Sequence, residues 1–106
     1  MTKARLSISS DQAVELAELF RLMGDATRLR IVVACLAQPR CVSDIATETG
    51  LPPSLVSYHL RLLRGTRMVR SERKGKQIFY IAADDRVRCI IVDMMAHIAD
   101  LEKEDG

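Results

Sequence analysis

Apolar residues recur every three or four positions along most of this chain. The repeat predicts helices, because residues three and four positions apart share one face of a helix. Five segments carry it, at 9–23, 26–37, 42–49, 54–64 and 84–101. Between the last two, segments 68–72 and 77–82 are expected to form β-strands on either side of a Lys-Gly-Lys turn at 74–76. The pattern therefore predicts a fold that is mostly α with a small β-ribbon.

Capping residues indicate where the first two helices begin and end. Ser9 and Gln12 have the spacing of a capping box, which predicts the start of the first helix. Gly24 is expected to end that helix, and Asp25 can cap the second. Residues 1–8 precede the first of these signals and are expected to be frayed.

The third and fourth predicted helices have the proportions of a helix-turn-helix. They span 42–64, and only residues 50–52 separate them. Pro53 suits the first position of the fourth helix, where its missing N–H would be unpaired anyway, and Gly65 is expected to end it. The ribbon at 68–82 would form a wing. The 106 residues are thus expected to make one winged helix-turn-helix domain.

The fourth helix has one apolar and one polar face. Its apolar face, with Val56, Leu60 and Leu63, is expected to point toward a core. The opposite face consists of Ser54, Ser57, Tyr58 and Arg61. Residues 54–76 carry seven basic side chains and one acidic side chain, a net charge of +6 within a chain of net charge +2. The basic residues at the turn of the ribbon are Arg73, Lys74 and Lys76. A polar helix fits the major groove and neighbouring cations neutralise phosphates, so we expect double-stranded DNA as the partner.

Length and composition narrow the class of protein. With 106 residues, 48% of them hydrophobic, the chain can form one domain around one core. It has no apolar run of about 18–20 residues and no secretory signal pattern, so no membrane partner is expected. Two histidines, no Gly-rich phosphate loop and no paired carboxylates in an apolar setting argue against an enzyme with a small-molecule substrate. Three scattered cysteines favour the reducing cytoplasm.

The last predicted helix carries an apolar seam with the spacing of a coiled coil. Its members are Val87, Ile91, Met94, Ile98 and Leu101. The first helix also has a wider apolar stripe than one packing partner would need. Two interpretations are open: the seam packs on the core of its own chain, or the first and last helices form a homodimer. We favour the homodimer.

Four sequence blocks stand in a specific order and spacing. They are LMGDATRLRI at 22–31, VSDIA at 42–46, SLVSYHLRLLR at 54–64, and RKGK at 73–76 followed by Tyr80. These blocks resemble the ArsR/SmtB family of bacterial repressors, over about residues 13–101. The resemblance implies a winged-helix homodimer that binds an inverted-repeat operator and leaves it on sensing a metal or a redox cue. It also implies that the polar face of the fourth helix reads bases.

The resemblance further implies a metal site between antiparallel terminal helices. The matched positions are Asp84, Arg86, His97 and Asp100. The two carboxylates and the histidine can bind a divalent ion such as Zn²⁺, Co²⁺ or Ni²⁺, whereas an arginine is always protonated and cannot. Three interpretations stay open. The site is completed by water or by Cys89, Arg86 pairs with Asp100 of the partner subunit in place of the ion, or the stripe is a solvated helix face. We favour the metal.

A second metal site of the family uses a Cys-x-Cys sequence at the start of the third helix. Here Cys41 is followed by Ser43 in the second position, which argues against sensing of arsenite, cadmium or lead. A dithiol switch between Cys35 and Cys89 is a further alternative, although Cys35 lies in the most apolar helix and is expected to be a buried free thiol. The remaining alternative is a winged helix that senses nothing and binds DNA as an architectural protein, or only contacts other proteins.

Overall fold

The structure, a computed structural model, describes residues 6–105 and forms five helices and one small sheet along them. In chain order the elements are α1 Ser10–Met23, α2 Ala26–Ala34, β1 Arg40–Cys41, α3 Val42–Thr49, α4 Pro53–Gly65, β2 Val69–Lys74, β3 Gln77–Ala82 and α5 Asp85–Asp105. The fold class predicted from the hydrophobic pattern, mostly α with a winged helix-turn-helix, is confirmed. Of the segment 1–8 that was expected to be frayed, residues 1–5 lie outside the described part, and residues 6–8 form neither helix nor strand.

The first two helices begin at side-chain caps. The hydroxyl of Ser9 accepts a hydrogen bond from the Gln12 backbone N–H at 3.1 Å, and the Gln12 side chain accepts one from the Ser9 N–H at 3.0 Å. The Asp25 carboxylate accepts from the Arg28 backbone N–H at 2.9 Å. Each cap satisfies donors that have no partner inside the helix, so both helix starts agree with the predictions from sequence.

The sheet has three strands, whereas the sequence predicted a ribbon of two. The additional strand, β1, pairs antiparallel with β3, with Arg40 opposite Tyr80 and Cys41 opposite Phe79. A strand of two residues has no periodicity from which it could be predicted. The order of strands is β1-β3-β2, so β3 is the central strand of the wing.

Three element ends differ from the predicted ones. Helix α2 ends at Ala34 rather than 37, because Cys35 and Leu36 donate to carbonyls three residues back and close a tighter turn. Helix α4 includes Gly65 instead of stopping before it, and the left-handed residue that follows is Arg67, with φ 63°. Helix α5 continues past 101 to Asp105.

The first strand of the wing is also displaced from its prediction. It spans Val69–Lys74 instead of 68–72, so Gly75 and Lys76 alone form the turn. Glycine suits this turn, because the φ of Gly75 is 63° and most other residues avoid that region.

The core lies where α2, α3 and α4 meet the sheet. Its fully buried side chains are Ile31, Val32, Cys35, Ile45, Val56, Leu60, Leu63 and Val69. The terminal helices contribute little to it, since Leu22 of α1 and Ile91 of α5 are their only buried apolar residues within the described part. Among residues 6–105, no helix combines the length and apolar character needed to cross a membrane.

Candidate nucleic-acid interface and metal site

Helix α4 is anchored by its apolar face and presents its polar face outward. Val56, Leu60 and Leu63 have no exposed surface, which fixes the rotation of the helix about its axis. The candidate base-reading residues lie on the other side: Ser54 and Arg61 are exposed, Tyr58 is 49% exposed and Ser57 is partly buried. Pro52 precedes the helix and offers no side-chain cap, while its carbonyl accepts from the Leu55 N–H at 3.0 Å and the Val56 N–H at 3.1 Å.

The wing carries its cations at the exposed end of the β2–β3 hairpin. Arg73, Lys74 and Lys76 are all exposed. Two of them are braced by the wing itself: Arg73 donates from Nε to the Gly75 carbonyl at 3.2 Å, and the Lys74 ammonium lies 5.8 Å from the centre of the Phe79 ring. These contacts restrict the side chains before binding, so less conformational entropy is lost when they bind a ligand.

Most basic residues of the segment 54–76 have no carboxylate partner in the described part of the chain. Arg70 pairs with Glu72, the one acidic residue of the segment. In the described part of the chain, the other six cations of the segment form no ion pair with a carboxylate. Exposed basic residues without acidic partners, on a hairpin and a neighbouring helix, favour binding of a polyanion such as DNA.

Two contacts behind this surface were not predicted from sequence. Arg28 of α2 donates from Nε to Nδ1 of His59 at 3.3 Å, and Arg30 donates to the Thr49 carbonyl at 2.6 Å. His59 is buried and forms an edge-to-face contact with Tyr58, with ring centres 5.2 Å apart. Its burial makes His59 a packing residue of α4 and separates it from the exposed candidate base-reading residues. In the sequence, the signal for these contacts was the presence of two arginines on the otherwise mostly apolar helix α2.

The candidate metal ligands lie at opposite ends of α5. Asp84 precedes the helix, where its Oδ1 accepts from the Val87 N–H at 3.0 Å, and its Oδ2 lies 3.9 Å from Nε of Arg86. His97 and Asp100 are exposed on the last three turns. His97 follows Asp84 by thirteen positions, which is about 20 Å along the axis of α5. Accordingly, in residues 6–105 of one chain, no three His, Cys, Asp or Glu side chains are grouped so that they could hold a metal ion.

The chain matches a known family over its central part and known proteins over most of its length. The model of the bacterial regulatory proteins of the arsR family matches residues 25–71, from the start of α2 into β2. A transcriptional repressor SmtB homolog from Synechocystis sp. is 36% identical over 93 residues, which cover 88% of this chain and 70% of that protein. This chain belongs to the arsR family.

Solved structures agree with this arsR assignment. The AntR antimony-specific transcriptional repressor is 32% identical, with a TM-score of 0.81 over 95% of this chain and 92% of that chain. A homodimeric winged helix-turn-helix DNA-binding domain, Mb0332 from Mycobacterium bovis, is 24% identical, with a TM-score of 0.77 over 96% of each chain, and supports the fold. As an arsR member, the chain is a winged helix-turn-helix regulator of transcription.

The three thiols of this arsR protein have different environments. Cys35 is fully buried, and burial raises the pKa of its thiol to about 12. Cys41 is buried at the start of α3, where its Sγ lies 3.2 Å from the Ser43 hydroxyl. Cys89 is exposed on α5. Cys35 and Cys89 therefore differ in access to solvent as well as in position.

Proposed function

We propose that this protein is a homodimeric repressor that binds an inverted-repeat operator and is released by a divalent metal of the Zn, Co or Ni class. The observation that carries the DNA-binding part is the outward polar face of α4 beside a hairpin whose tip cations, Arg73, Lys74 and Lys76, form no ion pair among residues 6–105. Access to the chromosome is required for this activity, so the cytoplasm is the expected location. Enzymatic activity forms no part of the proposal.

In the proposed complex α4 enters the major groove. Arg61 can bind a guanine through two hydrogen bonds, and the hydroxyls of Ser54, Ser57 and Tyr58 can donate to bases or phosphates. Arg73, Lys74 and Lys76 neutralise phosphates beside the groove and confer little sequence specificity. Base recognition and phosphate binding are thus assigned to different elements, which allows each to be tested separately.

The dimer is proposed to form through α1 and α5. Both helices expose large apolar side chains, including Phe20 at 61% and Ile98 at 56%, and exposed apolar surface of this kind is typical of an interface. A twofold axis between the two α5 helices would present two α4 helices in opposite directions. This arrangement matches an inverted-repeat operator, because operator symmetry follows protein symmetry.

The metal is proposed to bind between antiparallel α5 helices. Since Asp84 lies about 20 Å from His97 on its own helix, only pairing with a second copy can bring Asp84 of one chain near His97 and Asp100 of the partner subunit. Two carboxylates and an imidazole fit a borderline divalent ion, with water in the remaining position. When bound, the ion would link the two helices electrostatically and favour one relative arrangement of the subunits.

One observation favours a second candidate, a repressor of the same family that does not sense metal through α5. Arg86 stands at a matched ligand position and lies 3.9 Å from a carboxylate oxygen of Asp84. An arginine there supplies a fixed positive charge, which would pair with Asp84 or with Asp100 of the partner subunit instead of an ion.

A thiol switch is a weaker candidate. Cys35 is fully buried with its pKa raised to about 12, so its reactive thiolate is scarce near neutral pH. Iodoacetamide at pH 8 should alkylate Cys89 in the folded protein and leave Cys35 unmodified, as measured by peptide mass spectrometry. Rapid modification of Cys35 would restore the redox candidate.

Cobalt titration combined with DNA binding distinguishes the two metal candidates. A duplex enriched from a random-sequence library by the wild-type protein serves as the operator. If Asp84, His97 and Asp100 hold the ion, Co²⁺ should produce visible absorption bands and weaken operator binding about 5–150-fold, and His97→Ala should abolish both effects.

If Arg86 replaces the ion, wild type should respond weakly and Arg86→His should create both effects by completing a four-ligand set. Tight metal binding that is unaffected by His97→Ala would contradict both candidates. Cys41→Ser is the matched control, because Cys41 lies directly before α3 and not on α5.

A further inference from the structure

Two arginines of α2 each donate a hydrogen bond to one helix of the helix-turn-helix. Arg28 Nε donates to Nδ1 of His59 in α4 at 3.3 Å, across 31 residues of sequence. Arg30 donates to the carbonyl of Thr49, the last residue of α3, at 2.6 Å, across 19 residues. Helix α2 is therefore joined by a charged donor to both helices that would meet DNA.

The Arg28 contact orients a buried ring. Because Nδ1 of His59 accepts this hydrogen bond, the neutral imidazole carries its proton on Nε2. The ring is 8% exposed and packs edge-to-face against Tyr58, a candidate base-reading residue. The Arg28 backbone N–H is itself held by Asp25 at the start of α2. A continuous chain of contacts thus runs from the start of α2 to the outer face of α4.

The Arg30 contact fixes the turn between α3 and α4. The last carbonyls of a helix have no partner within it, and Arg30 supplies one at Thr49. The Thr49 hydroxyl donates to the Ile45 carbonyl at 2.7 Å and accepts from the Leu51 N–H at 3.4 Å. Together these bonds hold both sides of the turn from which α4 departs.

We propose that Arg28 and Arg30 are positioning residues for DNA recognition, which set the orientation of α3 and α4 and do not contact phosphate. The inference rests on the proposed operator binding. It separates the arginines of the chain into two groups. Arg28 is partly buried and Arg30 is exposed, but each donates to a helix other than its own. Among residues 6–105, Arg61 and Arg73 are exposed and donate to no other helix.

Salt dependence distinguishes positioning from phosphate contact. Binding of Arg28→Ala and Arg30→Ala would be measured on the enriched duplex and on a scrambled duplex over a range of salt concentrations. Each variant should lose about tenfold in discrimination between the two duplexes, while the slope of log affinity against log salt stays at the wild-type value. Arg21→Ala is the matched control, since Arg21 is an exposed arginine of α1 paired with Glu18. It should change neither quantity.

Two results would overturn the inference. A slope lower by about one, with equal loss on both duplexes, would make the arginine a phosphate contact. A lower melting temperature with unchanged discrimination, measured where the variant is folded, would make it a purely structural residue. If an alanine variant fails to fold, Arg28→Lys or Arg30→Lys keeps the charge but moves the donor, and the same loss of discrimination is expected.

The acceptor side provides a second test. His59→Phe keeps a ring and removes Nδ1, so it should lose discrimination as Arg28→Ala does, and the double variant should lose no more than either one. His59→Asn restores an acceptor oxygen and should recover part of the loss. Losses that multiply in the double variant would overturn the role of this bond.

A wild type that enriches no duplex would overturn the proposed function together with this inference. Unchanged variants of a wild type that does discriminate between duplexes would overturn the inference alone.

Discussion

The helix-turn-helix and the terminal helices bury their apolar residues to different extents. In α4, Val56, Leu60 and Leu63 are completely buried within one chain. Among the apolar residues of the 21-residue α5, whose burial is described up to residue 104, Ile91 alone is buried, and the rest of the apolar seam is exposed or partly exposed. Both helices have regular apolar spacing, so spacing alone does not tell whether the neighbour is the same chain or another. One chain suffices to bury the apolar face of the DNA-binding half, whereas the terminal helices leave apolar surface exposed that the proposed dimer would cover.

The two regions also differ in charge. Residues 54–76 have a net charge of +6, and residues 83–106, with three basic and seven acidic side chains, have a net charge of −4. An acidic α5 is repelled by phosphates and a basic α4 and wing are attracted to them. The charge distribution therefore orients the molecule toward DNA as well as increasing its affinity.

Two substitutions in α5 should have the largest effects, one on the stability of a single chain and the other on the dimer. Ile91 is 5% exposed, so Ile91→Asp places an unpaired charge in the core and should lower the free energy of unfolding by at least about 3 kcal/mol. Ile98 is 56% exposed, so Ile98→Asp should leave the fold of a single chain intact and dissociate the dimer. Thermal unfolding measures the first effect and sedimentation velocity the second.

The two α5 variants also test the dimer's role. Ile98→Asp should yield a folded monomer with greatly weakened binding to an enriched duplex. A wild type that sediments as a stable monomer at micromolar concentration would contradict the proposed use of the exposed seam.

Within the DNA-binding half, substitutions in α4 and in the wing should have different effects. Arg61→Ala should lower discrimination between the enriched and scrambled duplexes by about 1–3 kcal/mol, because a bidentate contact to guanine is lost. Replacing Arg73, Lys74 and Lys76 together by Ala should weaken binding to both duplexes equally. It should also reduce the salt slope by about 0.9 for each phosphate contact removed. A wing variant that binds as wild type does would contradict this assignment.

The smallest predicted effect concerns the two left-handed residues on either side of β2. Arg67 and Gly75 both have φ 63°, a conformation that costs a residue with a side chain about 1 kcal/mol. Arg67→Gly should therefore raise the free energy of unfolding by up to about 1 kcal/mol, and Gly75→Ala should lower it by a similar amount. Chemical denaturation can measure both. Equal signs for the two variants would contradict the expected backbone strain.

Most of the fold could be predicted from sequence where capping and periodicity act together. Ser9 and Asp25 begin their helices as expected, and α3 occupies the segment assigned to it. The errors occurred where local rules compete with tertiary contacts. Gly65 remained helical, and β1 depends on pairing with β3, a contact to a segment almost 40 residues away.

The exposed face of α4 could be predicted from sequence, whereas the contacts behind it and the metal ligands could not be predicted from periodicity. The exposed face of α4 follows from the burial of its opposite face, so periodicity could indicate Arg61 as outward. The roles of Arg28 and Arg30 depend on tertiary hydrogen bonds, which composition and spacing do not contain. The ligand set on α5 depends on a second chain, so it came from the family resemblance and stays a proposal.

The wing is anchored at its base by the strand β1, and this bears on how its sequence can change during evolution. Strand β1 joins the base of the wing to the segment before α3, while the Ala82 N–H donates to the Cys35 carbonyl at 3.2 Å. The tip at Gly75 has no neighbouring group within 4 Å of where a side chain would begin, so the core does not approach it. Changes of charge at the tip should therefore leave the core unchanged. A gene encoding this chain can acquire a different preference for flanking DNA through a few codons at the tip, while α4 and its supports stay unchanged.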